Sequence, residues 1–445
     1  MTIDSIKDEF LKDLDEFLKI KSVSAEGSEI PQKALEWILA KAESFGFSVK
    51  NIENIAGHAE YGDGDILCGV LTHVDVVPAN AEEWICEPFA LTRKNGRMYG
   101  RGVADDKGSA LAALYCLRIL KQSGICGNRV RVIFGAAEEI GMDDMKIYFQ
   151  HESLPDMSFT PDSEYGICRA EKGILHIEFS GKEIENLKIK SGTADNVVPD
   201  TAECQIVCGE SEKKIFNDIA NKSPEIIKTE DTSNGIKIIV KGLASHACEP
   251  EKGINSAQKL ISVISEVMGE KVGFCKFIKD CLKEETNGES LGIMMNDDIS
   301  GELTLVLSRL NVSNGEGKAV VDIRYPVSFD EKAVTEKIRC SIKKYGVNMK
   351  ILGGEEPLFL DESVPVVKIL KDSYKKVMGS DAKLYTTGGG TYARVLDGKG
   401  VAFGPVFEDD DSRIHNSNES IDEEKFFRHF EICLEAMKNM MIYNQ

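Results

Sequence analysis

The chain predicts an α/β fold interrupted by an α+β insertion, and three changes of pattern along the sequence carry that prediction. Residues 1–170 alternate helical and strand patterns, residues 171–355 mix short strand-like segments with helices, and residues 356–445 return to the first texture. In the first stretch, Ile6, Phe10, Leu11, Leu14, Phe17 and Leu18 recur at helical spacing and read as a surface helix. A second helical pattern, Ala34, Leu35, Ile38, Leu39 and Ala42, stops near Gly46, a C-cap. The apolar run 66–71 ends in Thr72-His73, residues 107–121 are helical, and the buried-strand pattern 130–137 ends in Glu138-Glu139. Polar residues gathered at strand carboxyl ends are where α/β folds place their sites. Within the insertion, 176–180 and 303–312 read as strands, and 215–221 and 256–269 as helices. The helical pattern 364–378, the glycines 388–390 and a helix from Glu423 close the chain.

Composition narrows the class. At 445 residues, 42% of them apolar, the chain holds two or three domains with a large core. No apolar run reaches the roughly 18 residues that span a bilayer, and residues 1–20 mix acids and lysines with apolar residues, unlike a signal peptide. The expectation is a soluble, cytoplasmic protein with no membrane partner. The twelve cysteines are scattered singly, Cys204 and Cys208 being the nearest pair, which reads as free thiols in a reducing compartment. A net charge of −20 argues against nucleic acid, whose phosphates need a basic face. The acidic run 408–411 reads as a solvated loop.

Five short constellations can carry chemistry. His73 and Asp75 lie two apart at a strand end, so they point to one side of an extended chain; a metal-bound imidazole commonly gives its other nitrogen to a carboxylate. A surface hydrogen bond is the plain alternative. In Gly100-Arg101-Gly102-Val103-Ala104-Asp105-Asp106-Lys107-Gly108, glycines allow a tight turn and two acids precede a helix, where ordinary capping would also place them. The segment lacks the third glycine of a dinucleotide fingerprint and the Lys-Ser/Thr of a P-loop. Glu138-Glu139 closes a buried strand, where adjacent acids are costly unless paired or bound to a cation. One can ligate a metal while the other serves as a general base, or both can be solvated loop acids. Asp162 follows another short apolar step, and His415 sits in a polar loop near the C-terminus.

The order and intervals of these five elements resemble the co-catalytic zinc peptidases related to aminoacylase, carnosinase, succinyl-diaminopimelate desuccinylase and glutamate carboxypeptidase. The likeness runs nearly the whole chain and is closest to the dipeptidase V type, bacterial enzymes with an enlarged lid domain. Trp84 with Pro88-Phe89, Asn196 in Asp195-Asn196-Val197-Val198-Pro199-Asp200, Ser245-His246-Ala247 followed by Pro250, Gly253 and Asn255, Asp322-Ile323-Arg324-Tyr325-Pro326 and Gly388-Gly389-Gly390-Thr391 add to it. The resemblance implies a catalytic domain with a mixed central sheet flanked by helices, and an inserted α+β lid. It implies two zinc ions, replaceable by manganese or cobalt: Asp105 bridging, His73 and Asp162 completing one ion, Glu139 and His415 the other. Glu138 is then the general base, Asp75 the residue that holds His73, and His246 a lid donor to the oxyanion. Asn196, also in the inserted domain, is a further catalytic and substrate-binding candidate. Arg324 contacts substrate oxygen. The backbone N–H groups of Gly388, Gly389 and Gly390 can come close to the substrate carboxylate, and Arg394 is either a further partner of that carboxylate or half of a surface salt bridge. The Asp105–Asp106 peptide bond is expected to be cis.

The implied activity is dipeptide hydrolysis. Deacylation of N-acyl amino acids or a related amide is the alternative, since the same metals serve both, and a non-catalytic metal-binding protein is the distant third. The partner is a small peptide. An insertion of about 180 residues can supply its own histidine, which favours a monomer without excluding a dimer. Phe403-Gly404-Pro405 departs from the Phe-Pro-Gly frequent in related sequences and leaves the conformation of that loop open. The remaining histidines read blandly: His58 in a glycine-containing turn, His151 and His429 on helix faces, and His176 in a strand of the insertion. No cysteine sits in a nucleophile context.

Overall fold

The computed structural model describes residues 2–269 and 273–444. Its contacts divide the chain into two units, one of Met1–Arg169, Phe359–Tyr385 and Gly390–Gln445, the other of Ala170–Leu358 and Thr386–Gly389.

The first unit is built on a mixed sheet. Seven of its nine strands run in the order Ser48–Ile52, Ala56–Tyr61, Arg129–Gly135, Leu67–His73, Met157–Thr160, Gly400–Ala402 and Ile167–Glu171, the last of these carrying the chain into the second unit. Leu67–His73 is buried at every position and lies parallel to both neighbours, as expected of a strand covered on both faces. His73 pairs with Gly135 and Val70 with Phe159, so three parallel strands end close together. Directly beyond those ends come Asp75, Glu138-Glu139 and Asp162. Helix Lys107–Gln122 is buried over most of its surface; Ser109, Ala110, Ala112 and Ala113 let helices Ile3–Leu18 and Glu423–Met441 and strand Leu67–His73 approach it. The closing helix starts where the pattern places it because Asp422 caps it, accepting from the Lys425 N–H at 3.0 Å.

The second unit is an antiparallel sheet of eight strands. Their order is Ile227–Thr232, Gly235–Lys241, Thr201–Val207, Leu187–Ser191, Thr304–Ser313, Glu316–Tyr325, Gly173–Lys182 and Asn348–Glu355. Burial alternates along Gly173–Lys182, and Leu175, Ile177 and Phe179 enter a core shared with helices such as Ser256–Met268. The helix foreseen over 215–221 begins earlier, at Glu210, because Glu212 accepts from the Gly209 N–H and caps the first turn.

Three readings need correction. The glycine loop does not belong wholly to the closing part of the first domain. Thr386–Gly389 joins the second unit, where the Thr387 carbonyl accepts from Lys172 N–H at 3.0 Å and Thr386 Oγ1 donates to the Ile299 carbonyl at 2.9 Å. His58 lies in strand Ala56–Tyr61, not a turn, buried with its Nδ1 2.7 Å from the Tyr148 hydroxyl. The run 408–411 is not simply solvated: Asp410 is buried, accepting from Arg97 Nη1 at 2.5 Å and the Asp422 N–H at 3.0 Å, and Glu408 and Asp409 pair with Lys383 and Lys425. No helix among the described residues is long and apolar enough to cross a membrane, and all twelve cysteines are free thiols.

Candidate metal and active site

His73, ending its strand, is wholly buried. Its Nδ1 lies 2.9 Å from the Asp75 backbone carbonyl, which can only accept, so this nitrogen carries the hydrogen in the neutral ring. The Nε2 lone pair is thereby turned toward Asp105 Oδ1 at 2.8 Å, with Asp162 Oδ2 at 3.8 Å. The other Asp105 oxygen, Oδ2, lies 2.9 Å from His415 Nε2, and the same nitrogen is 3.1 Å from Glu139 Oε2. One carboxylate thus stands between two imidazoles, and each imidazole has a second acid beside it.

The electrostatics of this cluster call for positive charge. Burial opposes protonation of His73, but its contacts with Asp105 and Asp75 overcome that and push it well up; His415 is likewise pushed up to about 11 by Asp105 and Glu139. Burial, reinforced by the Asp105 charge, pushes Asp162 up to about 7. Glu138 is pushed well up by burial and by Asp162, and Glu139 up by burial and Asp105. Ligand atoms of His73, Asp105 and Glu139 lie within 4.8 Å of one another, as do those of His73, Glu138 and Asp162. Imidazole nitrogen with several carboxylate oxygens is a donor set that fits zinc, manganese or cobalt.

The supporting contacts differ from the expected ones. The Asp75 carboxylate is 3.4 Å from His73 Nδ1, beyond a hydrogen bond; its two oxygens accept instead from the Glu138 and Glu139 N–H groups, each at 3.2 Å. Asp106 does not cap the helix that follows it, since its Oδ2 accepts from the His73 N–H at 3.1 Å. The Asp105–Asp106 peptide bond is cis, as are Tyr165–Gly166 and Gly404–Pro405. The departing loop therefore turns at a cis proline, and its strand Pro405–Val406 pairs in parallel with Ser163–Glu164, just beyond Asp162.

Several residues that matter here carried no assignment from sequence. Glu419, fully buried, accepts from the Gly102, Ala104 and Asp105 N–H groups at 3.1, 3.0 and 3.3 Å and from Arg101 Nη1 at 2.7 Å. Arg101 also donates to the Pro78 and Asn416 carbonyls, each at 3.2 Å. Asp144 accepts from the Ala136 and Ala137 N–H groups and from the Tyr392 hydroxyl at 2.7, 2.8 and 2.5 Å, fixing the backbone that leads into Glu138. Gly135 is required at that strand end, since a Cβ there would lie 1.9 Å from the Tyr392 hydroxyl oxygen. Arg394 lies half-buried in the turn Tyr392–Leu396.

In the second unit the structure gathers the remaining predicted residues. The Ala247 N–H donates to the Asn196 carbonyl at 2.9 Å, which sets Asn196 and His246, both exposed, on paired segments. Thr304, the register partner of Arg324, donates to the Ala247 carbonyl at 3.3 Å. Arg324 Nη1 donates to the Gly388 carbonyl at 2.9 Å, and Gly389 follows in the same segment, whereas Gly390 is counted with the first unit. His246 Nδ1 lies 2.9 Å from Cys248 Sγ.

Imidazole and carboxylate donors crowded at parallel strand ends, beside a further acid able to carry a proton, are the means of a metal-dependent hydrolase. Comparison of sequences narrows that class: the chain belongs to peptidase family M20/M25/M40, whose model matches residues 69–439, and it is a metallopeptidase. A Bacillus subtilis relative named "Putative dipeptidase YtjP" is 34% identical, the alignment covering 97% of each chain. Two solved structures share the fold. The M20 metallo-carboxypeptidase Sso-CP2 of Sulfolobus solfataricus matches with a TM-score of 0.64 and 20% identity over 98% of this chain and 100% of its own. The di-peptidase Dug1p of Saccharomyces cerevisiae matches with a TM-score of 0.62 and 16% identity over 100% and 98%.

Proposed function

We propose that this chain is a cytoplasmic, monomeric dipeptidase that works with two zinc ions. The observation that carries the reading is Asp105, whose oxygens face His73 and His415 separately at 2.8 and 2.9 Å, as a shared ligand between two ions must. His73 and Asp162 would hold one ion with it, and Glu139 and His415 the other. Ions held there supply polarisation of the peptide carbonyl and a lowered pKa for water.

The chain's own residues do the rest. Glu138, its backbone held by Asp75, takes the proton from the attacking water and delivers it to the leaving amine. His246, with Asn196 beside it, serves as a donor to the developing oxyanion, and Arg324 to a substrate oxygen. Gly388, Gly389 and Gly390, together with Arg394, serve the carboxylate end of the peptide. The name borne by the Bacillus subtilis relative supports dipeptides as the substrate class.

The test is a panel of free dipeptides and their N-acetylated forms, offered to metal-stripped protein before and after Zn²⁺ or Mn²⁺. Metal should restore hydrolysis of the free dipeptides, and preference for the acetylated forms would replace this reading with a deacylase. Glu138→Ala should lower turnover by at least about 10²-fold with metal content retained; a variant that stays active would remove Glu138 as the base.

A further inference from the structure

Strand Glu316–Tyr325 of the second unit is flanked by Gly173–Lys182 and Thr304–Ser313. Alternation puts Val321, Ile323 and Tyr325 on the core face, and so sets Asp322 and Arg324 together on the opposite one. The register then brings His176 of the neighbouring strand directly opposite Asp322. The three side chains join on that face. Arg324 Nε and Nη2 donate to the two Asp322 oxygens, each at 2.7 Å, and His176 Nε2 lies 2.9 Å from Asp322 Oδ2. Burial would raise the Asp322 carboxyl, but these hydrogen bonds outweigh it and hold the group below its ordinary value, so it is an acceptor and His176 the donor.

A guanidinium carries five N–H groups. Asp322 takes two along the Nε edge and the Gly388 carbonyl a third, from Nη1. One hydrogen on each terminal nitrogen is left, and a guanidinium with two such hydrogens can receive a carboxylate. Asp322 and Arg324 are only 1% and 4% exposed. A buried ion pair is a weak source of stability in itself, and a buried guanidinium with two hydrogens unanswered among the described residues is built for a ligand.

We infer that His176 and Asp322 are positioning residues for Arg324: they fix the plane of its guanidinium so that these two hydrogens meet the C-terminal carboxylate of the peptide. The inference rests on the dipeptidase reading, in which Arg324 contacts the substrate. Side-on pairing with Asp322 stops rotation about the Arg324 Cδ–Nε bond, and His176 anchors Asp322 from the adjacent strand.

The experiment uses the metal-loaded full chain and compares a free dipeptide with its C-terminal amide. His176→Phe and Asp322→Asn should each raise KM for the free dipeptide about tenfold or more, with kcat little changed, and narrow the preference for the free acid over the amide. His176→Gln, whose amide can still donate to Asp322, should restore most of that preference, which a merely structural role would not require. Should Asp322→Asn fail to fold, His176→Phe decides, since the His176 side chain is 25% exposed and tolerates exchange more easily. Arg324→Lys separates the two levels of the argument. If it leaves the acid-over-amide preference intact, Arg324 does not hold the substrate and the underlying reading fails. If Arg324→Lys abolishes the preference while His176→Phe leaves KM and preference as they were, the positioning role is overturned and the reading stands.

Discussion

At the scale of single residues, what decides a histidine's role is which nitrogen is left with a lone pair. His73 gives its Nδ1 hydrogen to a carbonyl and presents Nε2 to the acids, whereas His58 and His429 are buried neutral, each with Nδ1 beside a tyrosine hydroxyl, Tyr148 at 2.7 Å and Tyr165 at 2.9 Å. Burial, aided by the Arg131 charge, lowers His58 to about 4, and burial alone lowers His429 to about 3. In the unfolded chain both take up a proton near pH 6.5. Folded-state pKa values below the unfolded value mean that stability is complete above about pH 6.5 and falls as the pH drops toward 4, the unfolded state then binding more protons. Each histidine should therefore cost about 2 kcal/mol of stability at pH 5 relative to pH 7.5. Denaturant unfolding at the two pH values should show this loss, and His58→Gln should remove its own share. An undiminished loss in the variant would mean that His58 is not a source of it.

At the scale of elements, the cluster depends on two loops more than three hundred residues apart. The loop presenting His415 holds Arg413, His415 and Asn418 at φ of 54°, 62° and 67°, a region that costs non-glycine residues on the order of 1 kcal/mol or more each. Such a loop keeps its shape only under outside constraint, and Glu419 supplies it by accepting four donors from Arg101, Gly102, Ala104 and Asp105. Glu419→Ala should accordingly weaken metal retention by roughly 10–100-fold, measured by competition with a chelator, while excess metal recovers much of the turnover. Unchanged metal affinity would show that the loop needs no such tie. The contrast with the ligands themselves explains what could be read from sequence. His73, Glu138-Glu139 and Asp162 stand just past apolar strand patterns, so local periodicity finds them, and the resemblance supplied their order and roles. Glu419, Asp144 and Arg101 work by holding backbone N–H and carbonyl groups of distant segments, which leaves no mark in local pattern. The Asp75 carboxylate was legible as a partner of its near neighbour His73, but the N–H groups it holds lie sixty-three and sixty-four residues away.

At the scale of the whole molecule, the texture changes near residues 170 and 355 reflect two kinds of sheet. A parallel centre reads as continuous apolar runs, and an antiparallel sheet with one core face reads as alternation. The return of Thr386–Gly389 to the second unit has no such signature, because it rests on hydrogen bonds of a short glycine-rich segment with Lys172, Ile299 and Arg324. The division has a thermodynamic consequence. All five proposed ligands, His73, Asp105, Glu139, Asp162 and His415, belong to the first unit, while the second has a core of its own, including Leu175, Ile177, Phe179, Ile236 and Val321. A metal that binds only the folded first unit stabilises it by mass action, about 2.7 kcal/mol at a hundredfold excess over Kd, and adds nothing to the folding of the other core. For units of this size that amounts to a shift of roughly 5–10 °C. Scanning calorimetry of the full chain should therefore resolve two transitions once metal is chelated, one moved down by about this amount and one unmoved. Return of Zn²⁺ should raise only the first. A single transition that shifts as a whole would mean that the two units unfold cooperatively, and that the ligands of one help to stabilise the core of the other.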